Sequence, residues 1–580
     1  MAGSDNRLPR FNRAFFGSGD RLSRIGDGEI GGKAQGLRAA EDILGKMEGE
    51  ALTASIAVGI PRTAVLTTQV FDLFLERNEL DPADLTGLRD GRIVHAFLQA
   101  DFPTEFLGDL RALVDETHQP LAVRSSSLLE DALNHPFAGV YGTKMVPNNQ
   151  PDPGERFRKL IEAIKFVYAT TFFQAARDYG RTIAGGGESE KMAVVLQEVV
   201  GTRQDQRFYP HLSGVCKSYN YYPSANQRPK DGIVSLALGL GKSIVDGGVC
   251  WSYSPARPKA PPPFASVADR MKNSQVKFWA VNMGKAPAYD PVAETEYLVQ
   301  PGLTEAEYDG TLRYLASTYD SRSDRLSPGT GFPGPRVLDF APLLQLSELP
   351  LNTVLQKLMK TFETETSAPV EIEFAVTIEG TAKPQARLGF LQVRPMAVAD
   401  QVVEISEHEM AGPEVLASSE TVMGNGSEKS ILDVVYIPPD RFDRAESRKI
   451  VAEIESLNRS LIADGRQYLL IGFGRWGSSD PWLGIPVEWG QISGARGIVE
   501  ATLEGFSVEP SQGSHFFHNL SSFGVTYFMI HHAAQPGIDW TWLESQQVVT
   551  ETAHVRHVRL PDPLVVRVDG RSARGLILKR

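Results

Sequence analysis

Cysteine is nearly missing from this chain: Cys216 and Cys250 are the only two among 580 residues. Neither a disulfide framework nor a cysteine metal cluster can be built from them, and they read as two small apolar side chains. Long apolar runs are missing too. No stretch approaches the roughly 18 uninterrupted apolar residues that a membrane helix needs. The opening MAGSDNRLPRFNRAFFGSGDRL is polar and Arg-rich, without the apolar core of a signal peptide. The expected location is the cytoplasm, with no membrane partner. Positive charge is in deficit, 59 basic against 71 acidic residues for a net −12. That balance argues against nucleic-acid binding through a basic face and still permits a local basic pocket for a nucleotide. Internal repeats, heptads and low-complexity tails are absent. The partners expected are small molecules or proteins.

What is present is an alternation of helix and strand patterns, and the length calls for two to four domains. GGKAQGLRAAEDILGKM, Gly31 to Met47, reads as a glycine turn running into an amphipathic helix with Leu37, Ala40, Ile43 and Leu44 on one face. PLAVRSSS reads as a strand ending in a polar loop, Glu155 to about Tyr179 as a long helix, and MAVVLQEVV from Met192 as a buried strand. GIVSLALGLGKS reads as a strand and glycine loop, and the proline-rich stretch Pro255 to Pro263 as a surface excursion. VEIEFAV from Val370 and LGFLQVR from Leu388 read as adjacent antiparallel strands. Beyond about residue 400 the character changes, and five of the seven tryptophans lie past residue 470. The fold class is α/β (α+β), with regions 1–400 and 401–580 expected as separate domains.

Three constellations carry chemistry. In AVRSSSLLEDALNHPFAGVYGT, Ala122 to Thr143, Arg124 follows an apolar strand, where a forked guanidinium can clamp phosphate oxygens beside serine and glycine amides. In GGK, Lys33 stands near a helix N-terminus, a favourable place for an anion. On the paired strands, period-two alternation puts Glu371 and Glu373 on one face and Gln392 and Arg394 on one face of the neighbour. Two oxygens and a cation there suit Mg²⁺ bound together with phosphate.

The segment AVRSS, then ED, then FAG, then Thr, resembles without a gap the arginine-containing phosphate loop of the phosphoenolpyruvate synthase and pyruvate phosphate dikinase family, and EIEFA with LQVRP resembles its paired metal strands. The resemblance covers roughly the first two thirds. It implies an ATP-grasp nucleotide-binding region with ATP and Mg²⁺ as cofactors. It implies Glu373 and Gln392 as metal ligands, with Glu371 a further candidate, and Lys33, Arg124 and Arg394 as the charges that stabilise a moving phosphoryl group. VVLQEVV resembles the family's adenine hinge, which would use Gln197, Glu198 and Val200. Gly239 and Gly241 would form its glycine loop, although Lys242 stands where the family has an acidic residue. GLGKS is no Walker A motif, since Leu236 occupies the position of the required glycine.

The family's phosphohistidine signature, close to TSHAA, does not occur in the sequence, and the reading licenses nucleotide binding rather than phosphoenolpyruvate synthesis. The expected function is an ATP-dependent phosphotransferase acting on an unknown small molecule or partner protein. A noncatalytic ATP sensor, or the nucleotide half of a split enzyme, is the competing reading. In the C-terminal region, Arg475, Ser478, Ser479 and Asp480 form a glycine-rich loop beside Trp476 and Trp482. It reads as a tight turn on core tryptophans or as an anion nest. His515, His518, His531 and His532 are structural or include a phosphoryl acceptor.

Overall fold

A computed structural model describes residues 8–47, 55–128, 130, 139–177, 190–221, 227–260, 266–380, 383–396, 403–478, 480–506, 520, 524–534, 537–570 and 572–580. The fold is mixed α/β. The chain separates into two compact units: Met1–Ser218 with Ile233–Ile244 and Val249–Pro395, and Tyr219–Gly232 with Val245–Gly248 and Met396–Arg580. Among the described residues no helix is long and apolar enough to cross a membrane.

The first unit is built on two large sheets. One contains β1 (Leu22–Ile25), β3 (Thr63–Leu66), β4 (Leu121–Ser127), β5 (Thr143–Val146) and β6 (Met192–Glu198), in the order β1-β3-β6-β4-β5. The other contains β2 (Ile56–Gly59), β7 (Leu212–Lys217), β8 (Ile233–Leu238), β9 (Trp251–Tyr253), β10 (Val370–Glu379) and β11 (Gln385–Pro395), in the order β9-β8-β7-β10-β11-β2. Two smaller antiparallel sheets, of four and three strands, complete the unit.

Between the large sheets runs α1 (Gly31–Met47), whose Leu37, Ala40, Ile43 and Leu44 enter the shared apolar core. Its first residue must be glycine: Gly31 has φ +74°, and a Cβ there would lie 1.7 Å from the Ser126 carbonyl oxygen. A second helix, α2 (Pro153–Thr170), starts on an Asp152 cap that accepts from the amides of Gly154 and Glu155. It ends at Thr170, helical backbone resumes over residues 174–177, and the expected end at Tyr179 lies outside the described residues. Thr170 turns its hydroxyl back onto the Val167 carbonyl, and Thr171 and two bulky phenylalanines follow. α3 (Leu351–Thr366) joins the same apolar core, burying Leu351, Val354, Leu355, Leu358, Met359 and Phe362 against the second sheet. Each such side chain contributes about 1.5–3 kcal/mol of transfer free energy.

The antiparallel pairing of β10 with β11 has one irregularity. Glu371 opposes Arg394 and Glu373 opposes Gln392, but Phe374 opposes Phe390, so Leu391 is an extra residue in β11.

Among the described residues, and apart from a separate parallel pair of Arg475–Trp476 with Gly484–Ile485, the second unit is built on a nine-stranded sheet. Its members include β12 (Val415–Ser419), β13 (Val422–Met423), β14 (Asn425–Tyr436), β15 (Tyr468–Phe473), β16 (Ala495–Ala501), β17 (Thr526–Ile530), β18 (Gln547–Glu551), β19 (Arg556–Asp569) and β20 (Arg574–Leu578). β14, β15, β16 and β17 are parallel neighbours in that order, while β19 pairs antiparallel with β14, β18 and β20. The crossover from β14 to β15 carries α4 (Ser447–Ala463), as a parallel pair requires.

Candidate functional site

The polar groups of the first unit gather where β4 and β6 of one sheet meet β10 and β11 of the other. On the second sheet, alternation puts Glu371, Glu373, Gln392 and Arg394 on one face, with Lys217 of β7 opposite Glu371. Arg394 is 1% exposed; its Nε donates to Glu371 Oε1 at 2.7 Å, and its Nη2 also bonds that oxygen and lies 3.4 Å from Glu373 Oε1. Lys217 Nζ stands 3.1 Å from the other oxygen of Glu371. Both oxygens of Glu371 therefore face cations, and its carboxylate orients Arg394. Glu373 is less enclosed, which leaves it accessible to a ligand.

Arg124 reaches this group from the first sheet. Its Nη2 donates to Gln392 Oε1 at 2.6 Å and lies 3.6 Å from Glu373 Oε2, while its Nη1 donates to the carbonyl of Leu391 at 3.1 Å. The extra residue of β11 thus turns its carbonyl to an arginine of the other sheet. Nη1 also donates to Gln197 Oε1 at 3.2 Å, and Gln197 Nε2 in turn donates to Thr63. The side chain of Gln197, expected as a hinge contact, is buried and accepts from Arg124.

The other residues expected in a hinge, Glu198 and Val200, lie at and just past the end of β6. The amide of Glu198 donates to the Arg62 carbonyl and that of Val199 to the Pro120 carbonyl. Burial raises the carboxyl pKa of Glu198, with Arg62 and Arg21 pulling the other way. Val200 presses on Gly389 of β11, where a Cβ would meet Val200 Cγ2 at 2.4 Å, so the two sheets approach each other through a missing side chain.

Lys33 belongs to a different network. Its ammonium is buried, 2.5 Å from Glu130 Oε1 and 3.1 Å from the Ser125 hydroxyl. Removing one member of so enclosed a pair costs about 3–5 kcal/mol. Glu130 also accepts from the Ser125 hydroxyl and the Ser127 amide, and the Ser126 hydroxyl donates to the Ile30 carbonyl. The three serines expected in a polar loop are therefore buried within β4, because each hydroxyl has a partner. Sequence reasoning did not single out Glu130; the ED pair in its motif was the available signal. Residues 131–138 of that segment lie outside the described residues.

The glycine loop follows β8. The carbonyl of Gly239 accepts from the Ser213 hydroxyl at 2.7 Å, and Gly241 lies beside Ser213 as well. Ser213 occupies the same face of the sheet as Glu371 and Glu373, four residues along β7 from Lys217. Lys242 stands 3.7 Å from Glu294, whose other oxygen accepts from the Thr143 amide.

Among the described residues no group of three or more His, Cys, Asp or Glu side chains is placed to hold a metal ion. Glu373 and Gln392 provide two hard oxygen donors, which fits a cation that completes its shell with water and phosphate oxygens, the usual mode for Mg²⁺.

In the second unit, Trp476 is a core residue, fully enclosed with its Nε1 donating to the Val499 carbonyl. Arg475 is buried and donates to the Gly247 carbonyl, and Asp480 accepts from the Trp482 amide. Trp482 is 62% exposed. His531 and His532 are exposed, with His532 Nδ1 3.2 Å from the Thr502 hydroxyl. Ser479, His515 and His518 lie outside the described residues.

Arg124 of one sheet thus meets Arg394, Glu373 and Gln392 of the other in a single polar cluster of two cations, a carboxylate and a carboxamide. The chain belongs to the family described as pyruvate phosphate dikinase, AMP/ATP-binding domain, whose model matches residues 27–413. It is also similar to the "Uncharacterized phosphotransferase YvkC" of Bacillus subtilis (strain 168), 23% identical over 190 residues. That stretch is 33% of this chain and spans only 20% of the relative's length.

Proposed function

We propose that the first unit is an ATP-grasp site that binds MgATP and transfers a phosphoryl group from it, as a member of the phosphotransferase line within this family. The observation that carries the reading is the reach of Arg124 from one sheet to Gln392 and Glu373 on the other. A cation and two oxygen donors are thereby held at one point before a ligand arrives. Glu373 and Gln392 would hold Mg²⁺, which neutralises phosphate charge; Arg124 and Arg394 would take the phosphate oxygens, so positioning and electrostatics supply most of the catalysis. Glu371 serves as the buried counter-ion that aims Arg394. Glu198 and Val200 would line the adenine edge, and Gly239 and Gly241 would cover the phosphates. Lys33, paired with Glu130, contributes to catalysis only by exchanging that partner for a phosphate. We place the acceptor among small molecules or partner proteins, and the reaction in the cytoplasm.

The test is incubation of the purified chain with MgATP, alone and with a metabolite extract, resolving ATP, ADP and AMP. AMP with an acid-labile phosphoprotein means transfer through a histidine; ADP formed only with extract means a small-molecule kinase. Glu373→Ala should abolish either product, and unchanged turnover in that variant overturns the metal assignment. Nucleotide binding without turnover of any kind leaves the sensor reading in its place.

A further inference from the structure

The second unit buries a carboxylate in the middle of its sheet. Asp433 on β14 lies opposite Arg559 of β19, with His557 two residues away on the same face. Its Oδ1 takes His557 Nε2 at 2.8 Å and Arg559 Nε at 3.3 Å; its Oδ2 takes Arg466 Nε at 2.8 Å and Nη2 at 2.6 Å. Burial works against the charge on Asp433, but the bonds from His557 and Arg466 outweigh it and hold the carboxyl below the usual aspartate range. The one carboxylate faces two permanent cations, Arg466 and Arg559, so the cluster is net positive.

Both arginines are gripped from their Nε side. Asp433 and His557 are enclosed, while the side chains of Arg466 and Arg559 are 24% and 40% exposed. Among the described residues Arg466 Nη1 and both Nη groups of Arg559 make no other hydrogen bond. Two guanidinium groups fixed on a buried anchor, with donor edges turned outward, have the geometry for forked capture of an oxyanion. Cohesion alone does not call for this arrangement, since apolar side chains at a sheet centre commonly stabilise as well as or better than a buried ion cluster.

We propose that Arg466 and Arg559, positioned by Asp433 and His557, form an anion subsite of the second unit that binds the phosphate group of a small molecule. The subsite is independent of the nucleotide reading of the first unit, and it gives the second unit a ligand of its own.

Titration of the full chain with inorganic phosphate at constant ionic strength, followed calorimetrically and by thermal melting, tests it. Arg559→Gln leaves Asp433 bound by Arg466 and His557, and so preserves the fold. It should weaken phosphate binding at least tenfold, and Arg559→Lys should weaken it less. Arg124→Gln, in the first unit, should leave this binding in place. Phosphate affinity that is unchanged in Arg559→Gln, or lost only in Arg124→Gln, means an adventitious ion only at Arg559 and overturns the proposal. Absence of any phosphate binding by the wild-type chain overturns it equally.

Discussion

Glu373 is the shared counter-ion of two arginines from different sheets: Oε2 lies 3.6 Å from Arg124 Nη2 and Oε1 lies 3.4 Å from Arg394 Nη2. In the proposed MgATP site, a cation that took this carboxylate would free one neutralising contact of each guanidinium for an incoming polyphosphate. On that reading metal and nucleotide binding would be coupled through one side chain, with the same coupling free energy read from either ligand.

Glu373→Gln should uncouple them. The neutral side chain no longer neutralises the arginines, so metal-free ATP binds as tightly as in the wild type or more tightly, while Mg²⁺ loses its effect on affinity. Turnover should fall by about 10²–10³-fold, the scale for losing one electrostatic contact in a transition state. ATP dissociation constants with and without Mg²⁺ provide the check, and a magnesium effect as large as in the wild type rules the coupling out.

Gly389→Ala should strain the contact between β11 and the hinge. The new methyl meets Val200 Cγ2, the end of a short and stiff side chain, and the overpacking costs about 1–3 kcal/mol. Adding Val200→Ala removes the opposing methyl and should recover most of the melting temperature and of the ATP affinity. A double variant no better than the single one shows that the two side chains do not meet.

Glu500→Gln should make the second unit less sensitive to alkali. Burial raises the Glu500 carboxyl to about 7, against the bond from Tyr527 and the charge of Arg475. The native state therefore holds a proton that the unfolded chain has already released at about pH 4.3. This contribution is complete below that pH and is lost as pH rises to about 7, a change of about 4 kcal/mol. The glutamine variant, which has no proton to lose, should show a smaller fall in denaturation midpoint between pH 5 and 8. Parallel pH profiles for the two proteins would place the titration elsewhere.

Period-two alternation in VEIEFAV and LGFLQVR was enough to put Glu371 with Glu373 and Gln392 with Arg394, and helical spacing was enough for the face of α1. The partners of those residues were not legible. Lys33 meets Glu130 across nearly a hundred residues, and Arg124 meets Gln392 across 268, separations over which local patterning carries no information. The serines of β4 read as a loop because their polarity is visible in sequence and their buried partners are not. The long strand β19 was missed for a related reason: it serves three neighbours, and the PDP within its span resembles a break. Tryptophan content drew attention to Trp476 and Trp482 alike, yet only one carries core packing.

The extra residue in β11 has a consequence for parity. Side chains on a strand alternate, so one inserted residue exchanges inside and outside for everything beyond it. Because Leu391 is that residue, Phe390 faces the apolar core, where it stacks on Phe362 at 4.9 Å, and Gly389 falls in step with Gln392 and Arg394. Without it, the bulky ring would sit in the cleft and the glycine would leave a hole in the core. A single-residue deletion there would reverse the outer half of the hairpin, so the spacing between the polar site and the hinge is counted in odd numbers by the backbone itself.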